Sequence, residues 1–590
     1  MAEDSEWFEA YDTFVEVTEK GHKDAASIFR NLTGAEEGAK KFCDSEEWAA
    51  RLKGLHFPPN SGHPGWLATE SAGDLDSLAM LPAEWVRLSA LESVQLFPQP
   101  RPGRPTILGR VFQGRLKNMY FVEALQAIAT RPQLVTTMFI DFAANLGFYV
   151  VRFFKNGCWT SEYVDDYMPF DAFGGPMCCR SDTFPSPAWP CILEKAYAKL
   201  HCSWESIGFG GDVEDALADL TGGVCGRFGV KDVAIDRLFA YLYYWQTESL
   251  FVTRLDDAAC RSKGVDLAVD AAYAIHRVVF KDHYMFVQLV CGGNIPPSVQ
   301  EAVPPQVGVD FAETLNDGFF WLRMEDFTAY FSLIIECRLV NSDTGLASLG
   351  MGLPDVQRFD EPVKPPWYAA ALENRLPGFE GDYYEGPMHE YLFATKARVD
   401  QSNAPEFFIT VPEVPCEITL CVGQADRRTR LRYQNMRQHA AVLLRVFQRW
   451  SGLEKDDMWV FICQSSWRHG RDAMASFKVN IPGQYLALVS LPGQGELASK
   501  VCNKMVFRAY TTQQVTIKPR SPQGSHIWVQ PDAPVGAIPL SLVGMGNSGP
   551  LLEAMKLEEG EGNPVSGNPL DYSHVKLHPD DEKRSTCCIA

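Results

Sequence analysis

The chain has 590 residues, 46% of them hydrophobic and 22% charged, with a formal net charge of -20 at pH 7. Single cores stop growing at a few hundred residues, so a chain of this length and composition is expected to divide into about three or four units. The acidic balance excludes a nucleic-acid binder, whose phosphate contacts need clustered Lys and Arg.

From the start of the chain, MAEDSEWFEAYD has neither the positive region nor the apolar region of a secretion signal, and a cytoplasmic protein is expected. Trp7, Phe8, Tyr11, Phe14 and Val15 recur at helical spacing, and a second helix is predicted over Ser45 to Leu52, so residues 1–55 read as a helical region. The run FPPNSGHPGW, Phe57 to Trp66, breaks that pattern and marks a boundary. Beyond it, to about Val340, helical and strand patterns alternate, with Phe148 to Phe154 and Met285 to Val290 as strands. The longest apolar stretch, Met138 to Phe154, contains Asp141, Asn145 and Arg152 and falls short of the roughly 20 uninterrupted residues that span a bilayer.

Residues 341–364, part of a stretch rich in Gly, Pro and charge, read as a linker. Over 365–515 short strands recur at sandwich spacing: Phe407 to Val411, Ile418 to Val422, Ala441 to Phe447, Met458 to Ile462, Tyr485 to Val489 and Met505 to Tyr510. From Thr516 to Ala590 scattered Pro, Gly and acidic residues predict a largely unstructured tail. The 16 cysteines are dispersed without CxxC pairs, which fits free thiols in a reducing compartment. No HExxH, P-loop or EF-hand loop is present, and no cofactor is expected.

Two stretches carry a family likeness. Trp189 to Gly223, WPCILEKAYAKLHCSWESIGFGGDVEDALADLTGG, resembles the calpain cysteine-protease core nearly throughout, and Gly157 to Pro169, GCWTSEYVDDYMP, resembles a strand pair of the same core. ASFKVNIPGQYLALVSLPGQGE followed by MVFRAYTT looks like the closing strands of the C2-like calpain sandwich. The resemblance implies an α+β fold: a papain-like two-subdomain core over 56–340, divided into about 56–185 and 186–340, then a C2-like sandwich. It lacks the penta-EF-hand domain of conventional calpains, so no calpain small subunit is expected as a partner, and it is closest in style to calpain-related proteins of protists.

In the family the nucleophile opens a helix after a QGxLGDCW motif; a thiolate there is favoured by the helix dipole and by free N–H groups. The matching segment is Gln113 to Tyr120, QGRLKNMY, which retains the oxyanion-type Gln113 and puts Met119 at the nucleophile position. A thioether has no proton to lose and offers no anion. The histidine strand matches Asp270 to Ile275 and places Ala271 where the base belongs. His276 lies five residues on, toward the opposite face of a regular strand, and His283 sits in a hairpin turn; both read as surface or packing residues. The orienting Asn falls on Cys291, with Asn294 as a rival placement. Among calcium positions, Glu194 and Asp317 match acidic ligands, whereas Arg110 and Phe319 stand where the family carries Asp and Glu. Calcium-driven assembly of the cleft is not expected.

Arg427, Arg428, Arg430, Arg432 and Arg437 form either a face for anionic lipid or acidic protein, or a solvated loop. The terminal Cys587-Cys588-Ile589-Ala590 fits a prenylation motif with Cys587 as acceptor. Three functions are thus carried forward: an inactive calpain-like scaffold or regulator that binds proteins or peptides, at the cytoskeleton or membrane; an active calpain-type cysteine endopeptidase; and a prenylated membrane adaptor.

Overall fold

The segment MYFVEALQAIA is apolar on every side of a helix, and a helix of that kind is stable only when surrounded. In the computed structural model it forms α1 (Met119–Ala129), with Tyr120 to Ala129 all buried. The structure describes residues 83–340 and 389–539, except 99–107, 301–317, 427–438, 450–457, 491–502, 521–527, 530–536 and several shorter stretches. The helical region at 1–55, His283, Asn294, Asp317, the arginines at 427–437 and Cys587 therefore lie outside the described residues, as does the proposed linker.

Around α1 the first subdomain is built from an antiparallel sheet, β1 (Phe139–Ala143), β2 (Phe148–Lys155) and β3 (Cys158–Asp165), and from helices α2 (Trp189–Leu200) and α3 (Val213–Thr221). Phe121 of α1 stacks on Tyr197 of α2 at 4.3 Å between ring centroids. The sequence division at 185 assigned α2 and α3 to the second subdomain. Their apolar faces instead complete the first core, with Trp189, Tyr197, Leu217 and Leu220 packed into it, so the division falls after Thr221.

The second subdomain is a six-stranded antiparallel sheet of β4 (Val224–Gly229), β5 (Ser249–Leu255), β6 (Tyr273–Lys281), β7 (Tyr284–Cys291), β8 (Phe319–Arg323) and β9 (Phe331–Arg338), in the order β8-β7-β6-β5-β9-β4. It also carries α4 (Ile235–Trp245) and α5 (Met324–Tyr330). Side chains of a strand alternate between faces, and here both faces are used. Leu250, Val252, Ala272, Ala274, Val290 and Ile335 join the core around α1. Their neighbours Phe251, Tyr273, Ile275, Leu289, Cys291 and Ile334 join a second core with α4 and α5.

The C-terminal unit is a two-sheet sandwich. One sheet runs β10 (His389–Ala397), β17 (Asn503–Thr511), β12 (Cys416–Gln424), β15 (Asp472–Val479), β20 (Ala537–Pro539). The other runs β18 (Thr516–Arg520), β11 (Glu406–Val411), β16 (Gly483–Ser490), β13 (Ala441–Arg449), β14 (Met458–Gln464), β19 (Trp528–Val529). Phe407 and Phe507 stack between the sheets at 3.8 Å. The expected end of the sandwich at 515 is too early: β18 pairs with Glu406 to Thr410, burying Val515 and Ile517 while Thr516 and Lys518 face out. Pro519 is tolerated because β18 is an edge strand. No helix among the described residues is long and apolar enough to cross a membrane.

The two subdomains meet tightly beside α1. The Val111 carbonyl lies against Gly292 so closely that a Cβ there would approach it to 2.4 Å. Gly292→Ala should force the subdomains apart and cost about 1–3 kcal/mol, read as a lower midpoint in urea unfolding followed by tryptophan fluorescence.

Candidate functional site

Met119 occupies the first helical position of α1, with Asn118 as the N-cap residue. Asn118 does not cap the helix with its side chain; its Nδ2 donates to Glu194 Oε1 at 2.6 Å, deep in the core. Glu194, fully buried on α2, also accepts the Cys179 backbone N–H at 2.7 Å. Burial raises its carboxyl above the usual range, against the pull of these donors. Gln113 sits half-buried in the loop before α1, and its carbonyl accepts from Arg180 at 3.3 Å.

Across the seam, Ala271 directly precedes β6, and Cys291 ends β7 opposite Tyr273. These two positions are neighbours: a Cβ placed on Gly293 would lie 2.9 Å from Ala271 Cβ and 3.5 Å from Cys291 Sγ. Cys291 Sγ accepts the Gly293 N–H at 3.1 Å and belongs to the second core, and burial pushes its thiol up. α1 packs across β5 and β6, so the helix start and the Ala271–Cys291 pair belong to one seam. His276 does not continue the regular alternation, because a β-bulge falls between Ile275 and Arg277. Its ring packs on Phe319 at 4.9 Å, and burial, with Arg131 and Arg277 nearby, holds its pKa well below the usual value.

The described cysteines are all buried. Burial raises the thiols of Cys178, Cys179, Cys191 and Cys463 above the ordinary range. Among the described residues, no cysteine has an imidazole as hydrogen-bond partner. A thiolate–imidazole pair is the minimum for cysteine nucleophilic catalysis.

The residues aligned with calcium ligands make a poor cage for a hard cation, which takes six or more oxygens. Arg110 spans the seam, donating from Nη1 to the Gly293 carbonyl at 3.2 Å, and its guanidinium lies 5.3 Å from the Phe112 ring. Phe319 is a buried ring at the start of β8. The subdomains are joined further by Arg254 of β5, forked onto Glu123 of α1 at 3.1 and 2.8 Å.

A second cluster lies where the first subdomain meets the sandwich, and nothing in the sequence analysis singled it out. His201, Asp219 and Asp426 bring three potential metal ligands together, all buried. Lys155 fills the space between them: its Nζ is 2.8 Å from His201 Nε2 and 2.7 Å from Asp219 Oδ2, and it also donates to Asp426. Arg471 of the sandwich donates to Asp219 Oδ1 at 2.7 Å and approaches Asp426 at 3.4 Å. Two cations thus face two carboxylates, and the ammonium stands where a metal ion would be. Burial alone would raise both Asp pKa values, yet Arg471 and Lys155 hold Asp219, and Lys155 and His201 hold Asp426, below the usual range. Burial and then Lys155 lower the His201 pKa and keep the imidazole neutral. The only local signal in the sequence is a lysine closing an apolar strand, FYVVRFFK; its partners are more than 40 residues away in each case.

The profile of calpain family cysteine proteases matches residues 75–290. A rice relative, "Calpain-type cysteine protease ADL1" of Oryza sativa subsp. japonica, is 30% identical over 278 residues, which cover 44% of this chain and 13% of that protein. "Calpain-14" of Homo sapiens is 26% identical over 300 residues, 48% of this chain and 42% of the relative. "Calpain-10" of Mus musculus is 36% identical over 146 residues, 23% of this chain and 21% of the relative. In each case the likeness spans less than half of the relative's own length.

Two outcomes are expected of the buried cluster. Asp426→Ala leaves Lys155 partly uncompensated and should cost about 3–5 kcal/mol, measured by urea unfolding. Acid should also destabilise the fold in a defined sense. His201 has its pKa depressed in the fold, so the unfolded chain takes up that proton first, and stability falls as pH drops below about 6.5. The depressed carboxylates add a second loss below about pH 4. Thermal melts followed by circular dichroism across this range check it, and His201→Gln should flatten the upper part of the slope.

Proposed function

This chain belongs to the calpain family of cysteine proteases through residues 75–290, and we propose that it is a non-catalytic member that holds extended protein or peptide segments without cutting them. The observation that carries this reading is Met119 at the first helical position of α1. A thiol there would gain acidity from the helix terminus; a thioether has no proton for the helix field to release. Ala271 supplies no base, and Cys291 is buried in an apolar core, where burial disfavours its thiolate. The protein then serves as a scaffold or regulator whose partners are proteins or peptides. A C2-like character for the sandwich fits the same reading, as does a peripheral role at membrane or cytoskeleton.

Calcium is not required in this account. In the family's ligand positions this chain carries a cation, Arg110, bonded across the seam, and a buried ring, Phe319. The seam is closed by protein groups alone, Arg110 on Gly293 and Arg254 on Glu123. Adding calcium, compared with EGTA, should leave the thermal unfolding midpoint and the pattern of limited proteolysis unchanged.

Purified wild-type protein should neither hydrolyse unfolded casein nor be labelled by an epoxide inhibitor of cysteine proteases. The variant combining Met119→Cys, Ala271→His and Cys291→Asn should gain both properties. Hydrolysis by the wild type that disappears on mutating one cysteine would overturn the non-catalytic reading.

A further inference from the structure

The stretch from Ser93 to Val122 contains no Asp or Glu, although the chain as a whole carries a net charge of -20. It contains Arg101, Arg104, Arg110, Arg115 and Lys117, and its described part leads directly into α1 and Met119. The structure adds Arg180 to this group. Phe112 and Arg180 are register partners in a short antiparallel pair, and Arg180 donates to the Gln113 carbonyl at 3.3 Å. Arg115, Lys117 and Arg180 are all exposed.

The backbone beneath these cations is fixed. The Arg115 N–H donates to the Met177 carbonyl at 2.8 Å, and Leu116 is buried between its two exposed neighbours. Gly114 lies so close to the Met177 carbonyl that a Cβ would come within 2.1 Å, so the loop and the 177–180 strand form one surface. Beside them the turn 171–175 is closed by Asp171, whose Oδ1 accepts the N–H groups of Phe173 and Gly175 and whose Oδ2 accepts from Arg115 at 3.1 Å. At the tip of that turn Phe173 is 92% exposed. Three cations against one carboxylate leave this edge positive, and a bare aromatic ring stands at its end.

Building on the peptide-holding role above, we propose that this edge selects acidic peptide segments, with Arg115, Lys117 and Arg180 facing Asp or Glu side chains and Phe173 covering an apolar one. The cations are spread along an extended loop and strand, which suits a row of carboxylates on an extended chain better than a single compact anion. Peptide carboxylates supply such a row, and long-range attraction to a positive edge accelerates their capture. The surrounding acidity of the molecule sharpens the choice, because an acidic segment is repelled elsewhere and attracted here.

The test uses the full chain and fluorescence anisotropy with three labelled peptides: one alternating Glu with Val and Ala, the same peptide with Gln for Glu, and the same with Lys for Glu. The Glu peptide should bind about tenfold more tightly than the Gln peptide, the Lys peptide should not bind, and the preference should shrink as NaCl is raised. Arg115→Glu with Lys117→Glu should abolish the preference, whereas Arg261→Glu with Lys263→Glu on a distant exposed helix should preserve it. Equal affinity for the Glu and Gln peptides, no binding of any peptide, or equal losses in both double variants would overturn the proposal. Mass spectrometry of the same samples keeps the two readings apart: cleaved peptide refutes the non-catalytic role, while the affinity order alone judges the acidic preference.

Discussion

Helix α1 is buried on nearly every side, and the arrangement of both subdomains follows from that constraint. Its apolar surface is too extensive for one sheet to cover, so α3 and β2 pack on it from the first subdomain while β5 and β6 close over it from the second. The sheet of the second subdomain must therefore be apolar on both faces, one for α1 and one for α4 and α5. Polar groups at the seam are consequently paired: Gln126 accepts the Val111 N–H at 2.8 Å, and Glu123 is held by Arg254. A helix start fixed this firmly is the place where a nucleophile could be presented, and the residue presented is a methionine.

The loss of chemistry in such a site requires little structural change. Met119, Ala271 and Cys291 are all compatible with an apolar, close-packed seam, and each lies on backbone that the rest of the core already positions. Conversion of a catalytic seam to a binding one then involves side chains alone. The same economy explains why the family likeness is strongest in α2 and α3, which support α1 from behind and touch no substrate.

Much of this fold is readable in the sequence where local pattern governs it. The all-apolar α1, the strands β2 and β7, and most sandwich strands follow from periodicity. The position of Met119 at a helix start follows from the aligned motif. What escaped is set by tertiary context. The alternation of Val515 and Ile517 is too short, and too close to Pro519, to announce an edge strand. Helices α2 and α3 carry no local mark of which core they complete. The bulge at His276 breaks a period-two expectation, and the grouping of Lys155, Asp219 and Asp426 joins residues that only the folded chain makes neighbours.

That grouping has a consequence for how the molecule can be divided. Lys155, His201 and Asp219 belong to the protease-like core, while Asp426 and Arg471 come from the sandwich, with Val224 and Tyr510 sealing the contact beside them. Cutting the chain between the two units would bring a lysine and an aspartate to a surface shaped to exclude water, each missing half of its counter-charges. The smallest autonomous folding unit is therefore the core and the sandwich together, and evolution could not exchange either module without rebuilding the electrostatics of the other.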